Sequence, residues 1–163
     1  MIFGMTPFTL IHVVLSLIGI ASGLVVLRGL LASNPLTGWA STFLATTAAT
    51  SVTGFLFPFH GVTPAIVLGV LSLIVLAAAG AGRYVFRLAG PWCWIYAAGS
   101  VAALYLNVFV LIVQAFEKLP ALHALAPTTP PSGAAFSITQ GLAVVFFAAM
   151  GVLAVRRFRP ASV

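Results

Sequence analysis

The sequence predicts an all-α integral membrane bundle of five transmembrane helices, and three observations lead to this fold class. First, 62% of the 163 residues are hydrophobic and only 5% are charged, a composition that would leave a water-soluble domain with an insoluble surface. Second, five apolar runs are each long enough to cross a bilayer, which takes about 20 residues. Third, the arginines fall at alternate ends of these runs. We interpret residues 1–163 as a single transmembrane domain.

The five predicted spans follow one another with short connections. They cover roughly residues 7–29, 38–58, 64–86, 91–116 and 136–155. Threonine followed by proline opens the first and third spans, because a capping hydroxyl and a proline at the first helical position favour a helix start. The connection 117–135 contains four prolines, which exclude a continuous helix. Two interpretations of this connection remain open, a lid over an outward cavity and a plain linker.

The basic residues predict the orientation of the chain. The six arginines mark the ends of spans one, three and five, and they are Arg28, Arg83, Arg87, Arg156, Arg157 and Arg159. Because lysine and arginine are retained on the inner side of the membrane, the amino terminus is expected outside and the carboxyl terminus inside. This placement accounts for the net charge of +6, so we expect the lipid bilayer as a partner and no nucleic acid.

Composition also suggests a compartment. The chain is rich in alanine, leucine and valine, and residues 1–11 carry no charge, so no secretory leader is predicted. We expect a multi-pass protein of the bacterial inner membrane. Trp39, Trp92, Trp94, Tyr84 and Tyr96 fall near the predicted inner interface and suggest an aromatic belt there.

Small and polar residues predict which helix faces meet other helices, since lipid does not drive helices together. Ser16, Gly19 and Gly23 share one face of the first span with His12. Asn107 lies near the middle of the fourth span, where an amide without partners is costly. We therefore expect a hydrogen bond from Asn107 to a neighbouring helix, and the candidate partners are Ser16, Thr50 and Thr53.

All three histidines are predicted at the outer end of the bundle. His12, His60 and His123 accompany Glu117 as candidate metal ligands, because imidazole suits both Zn and Cu. Three amides of the fourth and fifth predicted spans are candidate ligand-binding groups, namely Gln114, Asn107 and Gln140. Haem between two histidines, or a quinone held by His12 and Gln114, are further possibilities for this end. The alternative is that each histidine acts separately and bonds a backbone carbonyl or faces the interface.

No enzyme signature is visible in the sequence. Glu117 is the only acidic side chain, so a paired-carboxylate mechanism is impossible within one chain. No glycine-rich phosphate loop occurs, and the lone Cys93 is interpreted as a packing residue. The leading hypothesis is a structural or accessory subunit of a larger membrane complex, or a homo-oligomer. The alternative is an outward-facing site of metal, haem or quinone type that serves redox chemistry or transport.

Several stretches carry a resemblance to known sequences. They read TTAATSVTGF (46–55), FPFHG (57–61), ALYLNVFV (103–110) and QAFEKLPALHALAP (114–127). They resemble small multi-pass inner-membrane proteins of proteobacteria. The resemblance implies the class of protein and its membrane, and because those proteins have no assigned activity it implies no functional residues.

Overall fold

The structure, a computed structural model, describes residues 6–57 and 64–160, and all regular structure in these two ranges is helical. The elements are α1 (Pro7–Leu31), α2 (Thr37–Gly54), α3 (Pro64–Gly80) with a π-helical turn (Ala81–Val85), α4 (Pro91–Lys118), α5 (Pro120–His123) and α6 (Ala134–Arg157). By length and apolar character, α1, α3 with its π-helical turn, α4 and α6 are able to cross a membrane. The prediction of an all-helical membrane bundle is confirmed at this level.

The second predicted span, 38–58, differs from the others. The corresponding α2 has 18 residues, eight of which are serine or threonine, and it is not among the four helices that meet the criterion for a span. Hydroxyl-bearing side chains lower its apolar character, and a prediction based on the length of the run alone does not take this into account. Its described helix ends at Gly54, and Pro58 lies outside the described residues.

The helix starts follow the sequence signals where the structure describes them. The backbone N–H of Thr9 donates to the Thr6 hydroxyl at 3.2 Å, and Pro7 occupies the first helical position of α1. α4 begins after Gly90, whose φ of +52° suits a residue without a side chain. The corresponding signal before α3 includes Thr63, outside the described residues. As predicted, the prolines of 117–135 interrupt the helix, and only the short α5 forms there.

α4 is the central helix of the bundle. It packs against α1, α3 and α6, while α2 packs mainly against α1 and α3. Tyr96, Ala97, Val101 and Leu104 of α4 are all buried, and they form the core together with side chains such as Phe43 of α2. α6 reaches the bundle through α4 and α1, so it is an outer member.

The residues after α6 link several parts of the arginine-bearing end. Phe158 is fully buried, and its ring lies 5.7 Å from that of Tyr96, centroid to centroid. The thiol of Cys93 donates to the Phe158 carbonyl at 3.5 Å, and the N–H of Arg159 donates to the Ser33 hydroxyl at 2.8 Å. Tyr96 was expected in an interfacial belt, but only 1% of it is exposed, because both the tail and the Arg83 side chain pack on its ring.

Candidate polar site between the first, second and fourth helices

Two glycines of α1 allow α2 and α4 to approach it closely. A Cβ added at Gly23 would lie 2.6 Å from Leu104 Cδ1 and 2.9 Å from Phe43 Cε2. One turn earlier, a Cβ at Gly19 would lie 3.0 Å from both Asn107 Nδ2 and Thr47 Oγ1. The first contact is apolar and the second is polar, so Gly19 lies where side chains of α2 and α4 meet the backbone of α1.

His12 joins α1 to α2 near the opposite end from the arginines. Its Nδ1 lies 2.9 Å from the Thr53 hydroxyl oxygen, and its ring makes an edge contact with Phe57 at 5.1 Å between centroids. Phe8 packs on the same Phe57 ring at 5.0 Å. Ser16, which follows on the same face of α1, donates to the His12 carbonyl at 3.0 Å. One imidazole nitrogen is therefore engaged by protein, which leaves Nε2 as the nitrogen for any ligand.

Most hydroxyls of α2 bond the carbonyl one turn back in their own helix. The hydroxyls of Ser41, Thr42, Thr46, Ser51 and Thr53 all donate in this way, over distances of 2.7–3.0 Å. Such bonds satisfy the hydroxyl inside an apolar environment without a partner helix. The side chains of α2 are thus less polar in effect than their composition indicates.

In the described part of the chain, three nearby side chains each have a buried atom that lacks any such partner, namely Thr47 and Thr50 of α2 and Asn107 of α4. The Oγ1 atoms of Thr47 and Thr50 and the Nδ2 atom of Asn107 are buried and have no hydrogen-bond partner among the described residues. Only 2% of Thr47 is exposed. None of the three expected partners bonds the Asn107 Nδ2 atom, since Ser16 donates to His12 and Thr53 is engaged by His12 and by its own helix. Buried groups of this kind normally have a partner, which includes water or a ligand.

The three orphaned atoms continue the line that begins at His12. Thr53, Thr50 and Thr47 follow one another at helical spacing along α2, each about one turn further from the His12 end. Asn107 lies beside the last of them, opposite Gly19. We call His12, Thr53, Thr50, Thr47 and Asn107 the polar track. Its side chains place hydrogen-bond donors and acceptors between closely packed helices.

The other predicted ligand-binding side chains lie apart from this track. Gln114 is exposed on α4, and its Nε2 donates to Glu117 Oε2 at 3.4 Å. Gln140 is buried at the start of α6, where its Nε2 donates to the Phe109 carbonyl at 3.2 Å and its Oε1 has no partner among the described residues. His123 ends α5, and its Nδ1 is buried without a partner in the described ranges.

The predicted metal site is described only in part. His60 lies outside the described residues, so its relation to His12 is not part of the structure described here. Within 6–57 and 64–160, no three side chains of histidine, cysteine, aspartate or glutamate group closely enough to hold a metal ion. The structure brings His12 to α2 and Glu117 to Gln114, on different helices.

Two buried polar residues were missed by the sequence analysis, one in the polar track and one at the opposite end of the bundle. Thr47 was not singled out, although it lies three residues before Thr50 and therefore on the same side of the helix. Arg83 was interpreted as a flanking charge, but only 8% of it is exposed and its Nη1 has no partner among the described residues. Its position inside the third apolar run, four residues before Arg87, was the available signal.

Comparison with known proteins adds no relative. No protein-family model, no curated protein and no solved structure matches the chain.

Proposed function

We propose that this chain is a five-span protein of the bacterial inner membrane that serves as a structural or accessory subunit and acts through its helix faces. The observation that carries the proposal is a groove of about 330 Å³ between α4 and α6, whose lining includes four small residues, Ala98, Ala102, Ala148 and Gly151, among valines and two aromatic side chains. Small residues at helix surfaces allow a neighbouring backbone to come close inside a membrane. The occupant that we propose is a transmembrane helix of another membrane protein.

The proposal of a fifth span concerns α2. Its length of 18 residues corresponds to about 27 Å of helix, close to the hydrocarbon thickness of a bilayer. Five of its hydroxyls bond carbonyls of the same helix, which reduces the cost of placing them in lipid. α2 also packs between α1 and α3, two helices that are long and apolar enough to span.

The orientation follows from charge. Arg28 lies in the last turn of α1, Arg83 in the turn that ends α3, and Arg156 and Arg157 in the last turn of α6. These ends belong to one side of the bundle, as the contact between Arg159 and Ser33 indicates. The positive-inside rule favours that side as the cytoplasmic one. Reporter fusions after Arg87 and Val163 should read as internal, and an external signal from both would overturn this orientation.

A substitution in the groove tests the accessory role. A Cβ at Gly151 would meet only Val101 Cγ1, at 3.7 Å, so Gly151→Leu fills the groove without forcing the bundle apart. We expect this variant to stay folded and to lose a co-purifying membrane protein after extraction in mild detergent. Val145→Leu is the matched control, since Val145 lies on the same helix with 68% of its surface exposed, and it should keep the partner.

Native mass of the extracted protein separates the outcomes. A heteromeric complex that is lost only with Gly151→Leu supports the accessory role, and a defined homo-oligomer with the same sensitivity shows that the occupant is a second copy. A lone monomer in several mild detergents, unaffected by Gly151→Leu, would mean that lipid chains cover the groove, and the accessory role would be wrong.

A second function is favoured by the polar track. Three buried polar atoms without partners in the described ranges lie beyond His12, on Thr47, Thr50 and Asn107. Such an arrangement suits a small polar ligand such as a quinone head group, with His12 near the entrance, and the same histidine is a candidate ligand for Zn, Cu or haem iron. Redox or transport work would then belong to the outward end.

Elemental analysis and an absorption spectrum of gently extracted protein test this second function. A bound metal, haem or quinone that disappears in His12→Ala, and separately in His60→Ala, would support a shared site at the outward end. The same species retained in both variants would exclude these two histidines as its ligands. Protein that carries none of these species in native membranes and after extraction would leave the accessory role as the better proposal.

A further inference from the structure

A buried arginine, Arg83, lies at the end of the bundle opposite the polar track. It lies in the π-helical turn Ala81–Val85 with 8% of its surface exposed. Its Nη1 is buried and makes no hydrogen bond to any described residue. The guanidinium carbon lies 5.3 Å from the centroid of the Tyr96 ring and 5.9 Å from that of Tyr84. Aromatic faces attract a guanidinium, and the Tyr96 hydroxyl forms a hydrogen bond with the Arg83 side chain, but a neutral hydroxyl does not balance the charge and the Nη1 atom still has no partner among the described residues.

The chain has no carboxylate side chain near enough to neutralise Arg83. Glu117 is the only aspartate or glutamate in the sequence. It lies 21 residues after Tyr96 on the same α4, which places it about 30 Å along the helix from the Arg83 contact. A buried cation is costly without a counter-charge. No aspartate or glutamate side chain of the same molecule therefore neutralises Arg83.

The surroundings of Arg83 are positive in a second, independent way. α4 begins at Pro91, where the N–H groups of Trp92 and Cys93 donate to the backbone carbonyls of Ala89 and Gly90 and not to a side-chain cap, and a helix start of this kind carries a partial positive charge. It lies against the π-helical turn, since a Cβ at Gly82 would be 3.0 Å from the Trp92 carbonyl oxygen. The rings of Phe86 and Trp92 stack at 3.8 Å between centroids across the same junction. An anion beside Arg83 would thus meet two sources of positive potential.

We propose that Arg83, framed by Tyr84 and Tyr96, binds a phosphate group at this end of the bundle. The planar guanidinium matches two phosphate oxygens, which a single-point cation does not. Tyr84, 54% exposed, forms the rim through which the phosphate approaches the accessible edge of Arg83. π-Helical turns are frequent at functional sites. The phosphate belongs either to an anionic lipid head group at the inner leaflet or to a free phosphate, and the proposal does not depend on the accessory role.

The test compares the thermal stability of the full chain in neutral detergent after additions at constant ionic strength. The additions are phosphatidylglycerol, a diacylglycerol that carries no phosphate, and inorganic phosphate. We expect phosphatidylglycerol to raise the midpoint of unfolding by several degrees, and native mass spectrometry to show retained lipid. Arg83→Gln should weaken this binding by about tenfold or more, because a charge-assisted bidentate pair is lost. Arg157→Gln is the control, since Arg157 carries the same charge at the same end but is exposed.

The outcomes decide both the site and the source of the phosphate. Inorganic phosphate that acts as strongly as phosphatidylglycerol assigns the site to a free phosphate, and a response to phosphatidylglycerol alone assigns it to the lipid. Equal responses of Arg83→Gln and the unmodified chain would overturn the proposal. If Arg83→Gln does not fold, the stabilisation of Arg83→Lys by the same additions is compared with that of the unmodified chain instead. Equal stabilisation of the unmodified chain by phosphatidylglycerol and by the phosphate-free diacylglycerol, with no effect of inorganic phosphate, would refute the proposal.

Discussion

α1 and α6 are both long apolar helices against the same central α4, yet they are held very differently. α1 has seven buried residues, among them three glycines and a serine. α6 has three, Gln140, Phe147 and Ala154, spaced seven residues apart. Lipid does not favour burial of apolar surface between helices, so close approach and polar bonds distinguish a fixed interface from a loose one. We therefore expect α1, α2 and α4 to form the rigid part of the bundle, whereas α6 keeps a broad exposed surface for lipid or partners.

The largest loss of stability is expected from a substitution that disrupts the packing of α1 against α2 and α4. Gly23→Leu forces a side chain into the space of Leu104 and Phe43, whose atoms lie within 3.0 Å of an added Cβ. We expect a loss of about 3 kcal/mol, at the upper end for overpacked cores. Unfolding in mixed detergent micelles measures the change. Gly141→Leu on α6 is the control, because a Cβ at Gly141 meets nothing within 4 Å, and equal losses in both variants would refute the comparison.

Truncation of a buried side chain between α6 and α4 should lower the free energy of unfolding by a smaller amount. Phe147 is 7% exposed, and its ring lies 5.8 Å from that of Tyr105. Phe147→Ala should lower stability by about 2 kcal/mol, less than in a water-soluble core, because lipid chains can enter the space that opens on the groove side. Its neighbour Phe146 is 50% exposed, so Phe146→Ala should have little effect. A loss for Phe147→Ala larger than for Gly23→Leu would show that α6 belongs to the rigid part.

In the polar track, we expect a substitution to raise the stability of the protein and not to lower it. Asn107→Leu removes a buried amide nitrogen that has no partner among the described residues and keeps a similar side-chain volume. The ligand-free protein should gain about 1 kcal/mol, because the cost of an unpaired buried donor disappears. Gln114→Leu, on the same helix but exposed, should change little. A clear loss of stability in Asn107→Leu would mean that the amide has a bound partner in the purified protein.

The smallest effect concerns the bond between His12 and Thr53. Thr53→Val removes the hydroxyl that lies 2.9 Å from the imidazole, and interhelical bonds in membrane proteins contribute about 0.6 kcal/mol on average. Thr46→Val is the matched control, because the Thr46 hydroxyl donates to carbonyls of its own helix. Micelle unfolding of both variants, with NMR shifts of the His12 ring, measures the difference. Identical ring shifts in Thr53→Val and the parent would contradict the bond.

Much of the helical architecture was predictable because its signals are local. The Thr6-Pro7 start of α1 and the proline-rich break before α6 depend on neighbours in sequence. The weak point was α2, whose length suited a span while its eight serines and threonines lowered its apolar character. Boundaries differed by only a few residues elsewhere, which is usual where helix ends lie near an interface.

The side-chain contacts were less predictable because they depend on how helices pair. Tyr96 was expected at an interface, but the tail places Phe158 on it. Arg83 was counted as one of six equivalent charges, and only the packing of the π-helical turn against α4 shows that it is buried. Thr47 lies on the helix face opposite Gly19, a relation that no spacing within α2 contains.

The tail after α6 has a consequence for the order of assembly. Phe158 and Arg159 contact Tyr96, Cys93 and Ser33, all of which leave the ribosome earlier in synthesis. The preceding helices can insert and associate while these contacts are still missing, since chains fold from the amino-terminal side as they emerge. The contacts of the arginine-bearing end can therefore be completed only after residues 158 and 159 have been synthesised, and until then the Phe158 ring does not cover Tyr96.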